Sequence, residues 1–385
     1  MLHLKTVLLF CLLAWIPTLE LHAQEPFDTA EEARDVLSPE RWEEVEEAVD
    51  RGLLWLASEQ LQDGSFPTRT AGQPGVTSLC GLAFMSAGHA PGIGRYGEEL
   101  DKAIDFVLAT QREDGLFSHD APNTPVTAWH GPTHTAMYNH PIAGLLLTEA
   151  YGMVPGTEEQ KDLKQAIERG IKFTLSKQLR PGPYKEEDGG WGYLRFANEP
   201  GRGETDLSVT GWHMMFLRSA KNAGFEVPDE PMQAAAKYVI RCFEREGTFV
   251  YGPVPADRIV SRGMTGAGIL SLGMAGQHKT PQARKAADWL LKHPVDKYNV
   301  AVPNNRMDRF HYGVHYASHG MYQLGGKHWK EFYPTMAGTM LSGQTRTGAW
   351  PRDSTSDRNF GAHYSSALAI LSLTPPYQLL SIYQR

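Results

Sequence analysis

Two kinds of helical pattern alternate along the chain. The first kind is amphipathic, and its clearest example follows Ser38 and Pro39, a cap residue and a first-turn proline. Its apolar residues share one stripe at helical spacing: Trp42, Val45, Val49, Leu53 and Leu56. The second kind is apolar or small along its whole length: Gly75 to Gly88, Tyr138 to Gly152, Ser208 to Gly224, Gly263 to Gly276, His311 to Gly325 and Tyr364 to Leu373. Helices that are apolar all round are buried, so the alternation predicts an inner and an outer set.

The amphipathic segments end in a recurring motif of Gln, then Gly, then an aromatic residue. The first copy runs from Arg51 to Gln60 and closes at Gly64 and Phe66. Later copies close at Phe117, Tyr193, Phe249 and Trp350; the copy before Phe249 lacks the Gln, and a weak copy spans Ala286 to Leu291. We expect each Gly to stop its helix and each aromatic ring to fold back over the helix end. A period of about 50 residues indicates stacked supersecondary units.

Six amphipathic and six apolar helices in alternation predict an all-α fold, an (α/α)6 toroid or barrel with the apolar helices as its inner ring. We assign residues 40–385 to this toroid.

The N-terminus has the pattern of a secretory signal. Lys5 precedes a short apolar run from Val7 to Ile16, and Ala23 offers a small residue before the cleavage point. We therefore predict a signal peptide over 1–23, an N-terminal extension over 24–39, and export to the periplasm or the cell exterior. The alternative is a retained membrane anchor, although the run is shorter than the ~20 residues that span a bilayer. No later segment is long and apolar enough to cross a membrane.

Charge and cysteine content exclude several classes of protein. Lys plus Arg (37) fall short of Asp plus Glu (44), and the formal net charge of −7 favours neither nucleic acid nor an anionic membrane. Of three cysteines, Cys80 and Cys242 remain after cleavage. Each lies in an apolar helical pattern, which favours buried thiols over a disulfide.

The first repeat, Arg-Gly-x-x-Trp-Leu-x3-Gln-x3-Gly-x-Phe, resembles the QW repeat of squalene and oxidosqualene cyclases and of protein prenyltransferase β-subunits. The third copy, with Gly189 to Tyr193 leading to Asp206 through Trp212, is the most similar. The resemblance covers nearly all of residues 40–385 and implies a toroid whose inner helices surround a central cavity. In the enzymes that cavity holds an isoprenoid, but the same toroid also serves in cobalamin carriers and complement thioester domains.

The resemblance also implies where an acid should lie. Squalene-type cyclases protonate an alkene with the middle carboxyl of Asp-x-Asp-Asp-Thr, which must be buried and neutral. Here Asp206 and Thr210 match the ends of that motif, but Ser208 and Val209 replace the two inner aspartates. We therefore expect Asp206 to act as a helix N-cap, worth about 1 kcal/mol. Catalytic residues remain unassigned, with Asp206 and His315 as the candidates.

Other chemistries of the toroid also lack their motifs. The sequence has no Asp-x-Cys zinc motif, no Asp-Asp-x-x-Asp magnesium motif and no Gly-Cys-Gly-Glu-Gln thioester motif. His311, His315 and His319 share one helix face at i, i+4 and i+8, a spacing that allows a two-histidine metal site. The nearby tyrosines favour a polar aromatic wall, so we predict neither a metal nor a cofactor.

A second group of histidines, His119, His130, His134 and His140, lies in a stretch that we interpret as a loop over the cavity mouth. The predicted cavity wall consists of nine residues: Tyr138, His140, Glu149, Trp212, His213, His311, Tyr312, His315 and Tyr316.

Two hypotheses on function follow. The first is an exported protein that binds a hydrophobic small molecule in its cavity without the known cyclase or prenyltransferase chemistry. The second is a cyclase-like or prenyltransferase-like enzyme acting on an isoprenoid, with aromatic faces stabilising carbocations. A third, a carbohydrate-active α/α barrel, agrees with the His and Tyr content but not with the Gln-Gly-Trp repeats. None of these hypotheses assigns a partner protein to the chain.

Overall fold

The computed structural model describes residues 30–122, 131–154, 156–179, 185–194, 204–300 and 308–383. Within these ranges the chain forms thirteen α-helices and no β-strand. The predicted signal peptide, 1–23, lies outside the described residues.

The helices alternate between two layers, as the sequence pattern predicts. A short helix, α1 (Ala30–Arg34), precedes them. The outer helices are α2 (Pro39–Glu59), α4 (Gly97–Ala109), α6 (Thr157–Lys177), α8 (Asp229–Arg241), α10 (Pro281–Lys292) and α12 (Gly326–Gly343). The inner helices are α3 (Gly75–Ser86), α5 (Pro132–Ala150), α7 (Leu207–Asn222), α9 (Arg262–Met274), α11 (Phe310–Leu324) and α13 (Gly361–Leu373).

The inner helices close a ring. Each packs against the next in chain order, and α13 returns to pack against α3. In the outer layer α12 packs against both α10 and α2, and α2 also packs against the inner helix α13. Every residue of α3 is buried, whereas α8 buries only one face, as all-apolar and amphipathic helices should. The predicted all-α (α/α)6 toroid is confirmed.

The Gln of the repeat joins one unit to the next. Its side-chain amide has two N–H donors. One donates to the carbonyl of the closing glycine turn and the other to a carbonyl on the following outer helix. The pairs of acceptors are Gly64 and Glu99 for Gln60, Gly115 and Ala166 for Gln111, Gly189 and Pro231 for Gln178, and Gly348 and Ala48 for Gln344.

The last of these bonds joins α12 to α2 and so completes the outer ring. The closing turns also need their glycines: at Gly348, with φ +96°, an added Cβ would lie 2.2 Å from the carbonyl oxygen of Arg51. The aromatic residue folds back as expected in the last repeat, where the indole of Trp350 donates to the Met340 carbonyl in α12. In the third repeat Trp191 does so, by donating to the Thr174 carbonyl in α6, and Tyr193 does not.

One helix begins earlier than the sequence pattern indicated. We predicted α5 from Tyr138, but it starts at Pro132, with proline in its first turn. His134, which we placed in a loop, is therefore helical. Residues 123–130 of that stretch, with His130, lie outside the described residues.

Cys80 and Cys242 are both buried and free, as predicted. Part of the predicted N-terminal extension packs on the toroid, because the indole of Trp329 in α12 donates to the carbonyl of Ala33 at 3.0 Å. Among the described residues, no helix combines the length and apolar content that a membrane crossing requires.

Candidate ligand-binding cavity

A cavity opens among the N-terminal halves of the six inner helices. Its volume is about 100 Å³. Each inner helix contributes an apolar or aromatic side chain, in chain order Val76, Ile142, Trp212, Met264, Tyr312 and Leu368. A concave and largely apolar site of this kind is where a small molecule binds in most proteins.

Tyrosines form much of the polar part of the wall. Tyr138 and Tyr312 were predicted from the sequence, whereas Tyr193, Tyr251 and Tyr364 were not. Tyr193 was the aromatic residue of the third repeat, which we assigned to packing. Tyr251 lies in a loop between α8 and α9 and had no helical periodicity to mark it.

Asp206 lies behind the tyrosines and is fully buried. It caps α7: its Oδ1 accepts from the backbone N–H of Ser208 at 2.6 Å and of Val209 at 3.3 Å. The same oxygen accepts from the Ser208 hydroxyl at 2.6 Å. Its Oδ2 accepts from the hydroxyls of Tyr138 at 2.9 Å and Tyr193 at 2.5 Å. Five donors thus converge on one carboxylate, which is a cap and also the anchor of the tyrosines.

Ser208 and Val209 stand where the resemblance to the squalene-cyclase motif would place two aspartates, and each makes other contacts. The Ser208 hydroxyl lies in the cavity wall and donates to Asp206. Val209 is fully buried in the apolar core. Thr210, at the end of the motif, accepts from the Trp191 backbone N–H at 2.9 Å. Asp206 and Thr210 are therefore both fixed by hydrogen bonds, and no carboxyl lies between them in the sequence.

The environment keeps these tyrosines neutral. Burial, and next the negative charge of Asp206, raise the pKa of Tyr138 and of Tyr193 well above the ordinary value. The two hydroxyls therefore stay protonated at neutral pH and act as hydrogen-bond donors to the carboxylate.

An ion pair lies at another part of the wall. Arg309, just before α11, donates to Oδ1 of Asp357, and the Tyr364 hydroxyl donates to its Oδ2 at 3.0 Å. All three residues line the cavity, and the sequence analysis missed them. Arg309 and Asp357 neutralise each other, so this part of the wall is polar without a net charge.

Of the nine residues predicted for the wall, Tyr138, Trp212 and Tyr312 lie in it. His140 and His213 instead pack toward the outer layer. The Phe117 N–H donates to Nδ1 of His140 at 3.1 Å, and His213 stacks on Trp191 at 5.2 Å between ring centroids. Burial lowers the pKa of His140 to about 3, so its imidazole is neutral.

Glu149 lies at the far end of α5, away from the wall. Its carboxylate accepts from the Ser219 hydroxyl at 2.6 Å and from the backbone N–H groups of Ser381 and Ile382 at 2.6 and 3.1 Å. Burial raises its pKa above the ordinary value despite these bonds. Glu149 therefore fastens the C-terminal segment rather than contacting a ligand.

The remaining predicted residues lie on faces of α11 that contact its neighbours. His311 contacts Asp353 and Tyr298, each at 3.0 Å. His315 lies behind Trp212, with ring centroids 5.3 Å apart and nearly parallel planes. The Tyr316 hydroxyl donates to the Ser208 carbonyl at 2.9 Å. A fully buried helix has no exposed face, so periodicity alone could not tell the cavity face from the packed ones.

Burial lowers the pKa of His315 to about 3, so its imidazole is neutral. The part of the chain that the structure describes holds no group of three or more His, Cys, Asp or Glu arranged for a metal ion.

The fold is the α/α toroid of terpenoid cyclases and protein prenyltransferases. The type II terpene cyclase MstE from Scytonema, in complex with geranylgeranyl dihydroxybenzoate, superposes with a TM-score of 0.60. The match covers 89% of this chain and 100% of that one, at 13% identity. The protein geranylgeranyltransferase-I of Candida albicans gives a TM-score of 0.50, with 89% and 92% of the chains covered at 15% identity.

The same toroid carries unrelated chemistry elsewhere. An α-mannanase from Bacteroides thetaiotaomicron matches with a TM-score of 0.56, over 87% of this chain and 96% of that one, at 11% identity. At such identities the structural likeness shows the fold alone.

A curated relative adds a sequence match. Drimenyl diphosphate synthase from Streptomyces showdoensis is 25% identical over 202 residues, which are 52% of this chain. The match spans only 32% of that enzyme's length. No known family profile matches the chain.

Proposed function

We propose that the protein binds an apolar, terpenoid-like molecule in its central cavity and does not protonate it as squalene-type cyclases do. One observation carries this proposal: the wall is aliphatic and aromatic, while Ser208 and Val209 occupy the positions of the cyclase acid. An apolar wall of this kind suits such a ligand, and the absence of a carboxyl at Ser208 and Val209 supports binding without protonation.

Asp206 is a poor replacement for that acid. An acid that protonates an alkene must present its proton to the substrate. Both oxygens of Asp206 accept hydrogen bonds, and the tyrosine hydroxyls stand between its Oδ2 and the cavity. The geometry fits a fixed acceptor within the wall.

Export is part of the proposal. The N-terminal pattern of Lys5 and the apolar run from Val7 to Ile16 supports secretion. Soluble prenyl diphosphates are made and used in the cytoplasm, so an exported toroid fits a stable lipid better than a diphosphate substrate.

Ligand binding is tested with purified protein and geranylgeraniol, by native mass spectrometry and by quenching of intrinsic tryptophan fluorescence. Ile142→Phe adds a ring to the cavity wall and should weaken binding at least tenfold. Leu54→Phe makes a similar change on the exposed face of α2 and should leave binding unchanged. The absence of a saturable complex with native protein, or equal affinities in both variants, counts against the proposal.

The alternative function is a terpenoid-forming enzyme, supported by the sequence match to drimenyl diphosphate synthase. It is tested by incubation with farnesyl and geranylgeranyl diphosphates, followed by extraction and gas chromatography. A cyclised product that disappears in Asp206→Asn, with folding retained, would establish this alternative and overturn the binding-only proposal.

A further inference from the structure

The carboxylate of Asp206 has no basic partner among the residues that the structure describes. Four aspartates in that part of the chain are buried, and the other three each have one. The three pairs are Asp308 with Arg262, Asp357 with Arg309, and Asp353 with His311. Asp206 accepts only from neutral hydroxyl and backbone N–H groups. A buried charge without an opposite charge is costly, so this one requires an explanation.

The charge of Asp206 acts on the cavity. Burial first, and next this charge, raise the pKa of four tyrosines in the cavity wall: Tyr138, Tyr193, Tyr251 and Tyr312. These side chains come from α5, from α11 and from two loops, so the field of one carboxylate extends around the wall. The cation in the wall, Arg309, is neutralised by Asp357. The described residues around the cavity therefore leave it with an excess of negative charge.

The hydroxyl groups of the wall direct their hydrogens toward the carboxylate. Tyr138 and Tyr193 both donate to Oδ2 of Asp206, and the hydroxyl of Tyr251 lies 2.7 Å from that of Tyr193. Because Tyr193 gives its hydrogen to the carboxylate, Tyr251 donates to Tyr193. The three side chains are half-buried and line the cavity. A hydroxyl has one hydrogen and two lone pairs, so this part of the wall can accept hydrogen bonds from a ligand but has no hydrogen left to donate.

A positively charged group fits these properties. An ammonium group donates to hydroxyl oxygens, is attracted by the negative charge behind them, and is also attracted by the faces of aromatic rings. Trp212 and the tyrosines supply such rings in the wall. A carboxylate or phosphate group would instead place a second negative charge in a site from which most water is excluded.

We propose that the cavity ligand carries a protonated amine, and that Asp206 and the tyrosines bonded to it form the counter-charge of that amine. The ligand class is an amphiphile with an apolar, terpenoid-like body and one ammonium group. This inference rests on the proposed binding function and adds the charge that selects the ligand.

The test compares geranylgeranylamine with geranylgeraniol, which has the same carbon skeleton and no charge. The amine is protonated at pH 7, since a primary alkyl amine loses its proton at about pH 10. Native protein should bind the amine at least tenfold more tightly in isothermal titration calorimetry. Asp206→Asn retains a side chain that can cap α7 but removes the charge, and should bring the two affinities within about twofold of each other.

A second measurement needs no variant. In native protein the affinity for the amine should fall as the pH rises from 8 to 11, because the amine loses its charge. The affinity for the alcohol should stay the same over that range, since the raised pKa values keep the wall tyrosines protonated.

The matched control is Glu149→Gln. Glu149 is also buried, accepts several hydrogen bonds and has no ion pair within the described ranges, but it lies at the far end of α5, outside the cavity. This variant changes the charge of the protein by the same amount and should retain the tenfold preference for the amine. A preference lost equally in both variants would mean that distant charge attracts the amine, and would overturn the site.

The outcomes separate the two proposals. Equal affinities of native protein for amine and alcohol overturn the ammonium site and leave the binding function standing. A preference that persists in Asp206→Asn, or an amine affinity that does not change between pH 8 and 11, also overturns the site. Failure of both probes to bind overturns the binding function itself.

Discussion

The hydroxyl of Ser208 donates a hydrogen bond of 2.6 Å to the carboxylate of Asp206. The resemblance to the squalene-cyclase motif pairs Ser208 with a catalytic carboxyl, whereas Ser208 is a donor that orients the neighbouring carboxylate. The same carboxylate fixes two tyrosines of the cavity wall. The start of α7 is therefore arranged to hold the wall in place.

Asp206→Ala should destabilise the protein by about 3 kcal/mol, more than a helix cap alone. The loss includes the N-cap, ~1 kcal/mol, and buried donors on Tyr138 and Tyr193 that lose their acceptor, ~1 kcal/mol or more each. Urea unfolding followed by circular dichroism measures it. A matched cap variant is Thr280→Ala on α10, whose side chain caps the helix through Ala283 and should cost only about 1 kcal/mol. Equal losses for the two variants would show that the tyrosine contacts contribute nothing.

Buried histidines should make the protein sensitive to acid. Burial lowers the pKa of His315 to about 3 from an ordinary 6.5. As pH falls below about 6.5 the unfolded state takes up this proton first, so stability is lost at up to ~1.4 kcal/mol per pH unit. In His315→Leu, unfolding between pH 6 and 4 should take up one proton fewer, so stability should fall less steeply with pH.

The same variant should change stability at pH 8 by less than about 1 kcal/mol, because neither ring nitrogen of His315 has a partner among the described residues. His140→Leu is the comparison. It removes contacts to Phe117 and Thr174 and should cost about 2 kcal/mol at pH 8. A larger loss for His315→Leu than for His140→Leu would contradict this ranking.

Asp353 should contribute to acid denaturation at a lower pH than His315 does. Burial alone would raise its pKa, but the hydrogen bond and electrostatic attraction of His311 outweigh burial and hold the pKa well below the usual 3.8. A depressed carboxyl pKa stabilises the fold above about pH 4, and that stability is lost as pH falls below it. Asp353→Asn should cost about 3 kcal/mol at pH 7 and flatten the stability profile below pH 4. Glu43→Gln, an exposed change on α2, should alter neither the stability at pH 7 nor the stability profile below pH 4. A profile that stays steep in Asp353→Asn would contradict the role given to the Asp353 carboxylate.

Replacing a repeat glutamine with a negatively charged residue should destabilise the fold. Gln178 donates both amide hydrogens to carbonyls, at 2.9 Å to Gly189 and 2.8 Å to Pro231. Gln178→Glu presents carboxylate oxygens to two acceptors and should cost more than Gln178→Ala, which we expect to lose about 2 kcal/mol. Thermal unfolding at neutral pH ranks the two variants by stability. If Gln178→Ala is the less stable, the Gln178 side chain stabilises the fold mainly by packing and not by its hydrogen bonds.

The repeats predicted the architecture because Gln, Gly and the aromatic residue serve local geometry. Gln344 must reach its own turn and the next helix, and Trp350 must fold back on α12, whatever the cavity contains. Such requirements recur in each unit and are therefore visible in a single sequence. The start of α5 was misplaced because Pro132 can begin a helix as well as end a loop.

The cavity wall was harder to predict, for a physical reason. All residues of α11 are buried, so Tyr312, which lines the cavity, and His315, which packs behind Trp212, have the same sequence signature. Tyr251 and Arg309 reach the wall from outside the inner helices, where no periodicity points inward. Only the arrangement of the six inner helices determines which side chains meet.

The hydrogen bond between Gln344 and the Ala48 carbonyl joins a late part of the chain to an early one, and so it can form only late in synthesis. The first outer helix, α2, packs against α12 and α13, the last two α-helices of the described chain, as well as against α3. Until α12 and α13 are synthesised, the faces of α2 and α3 that pack against them have no partner. The ring can therefore close only after α12 and α13 have been synthesised, whichever units have packed before them.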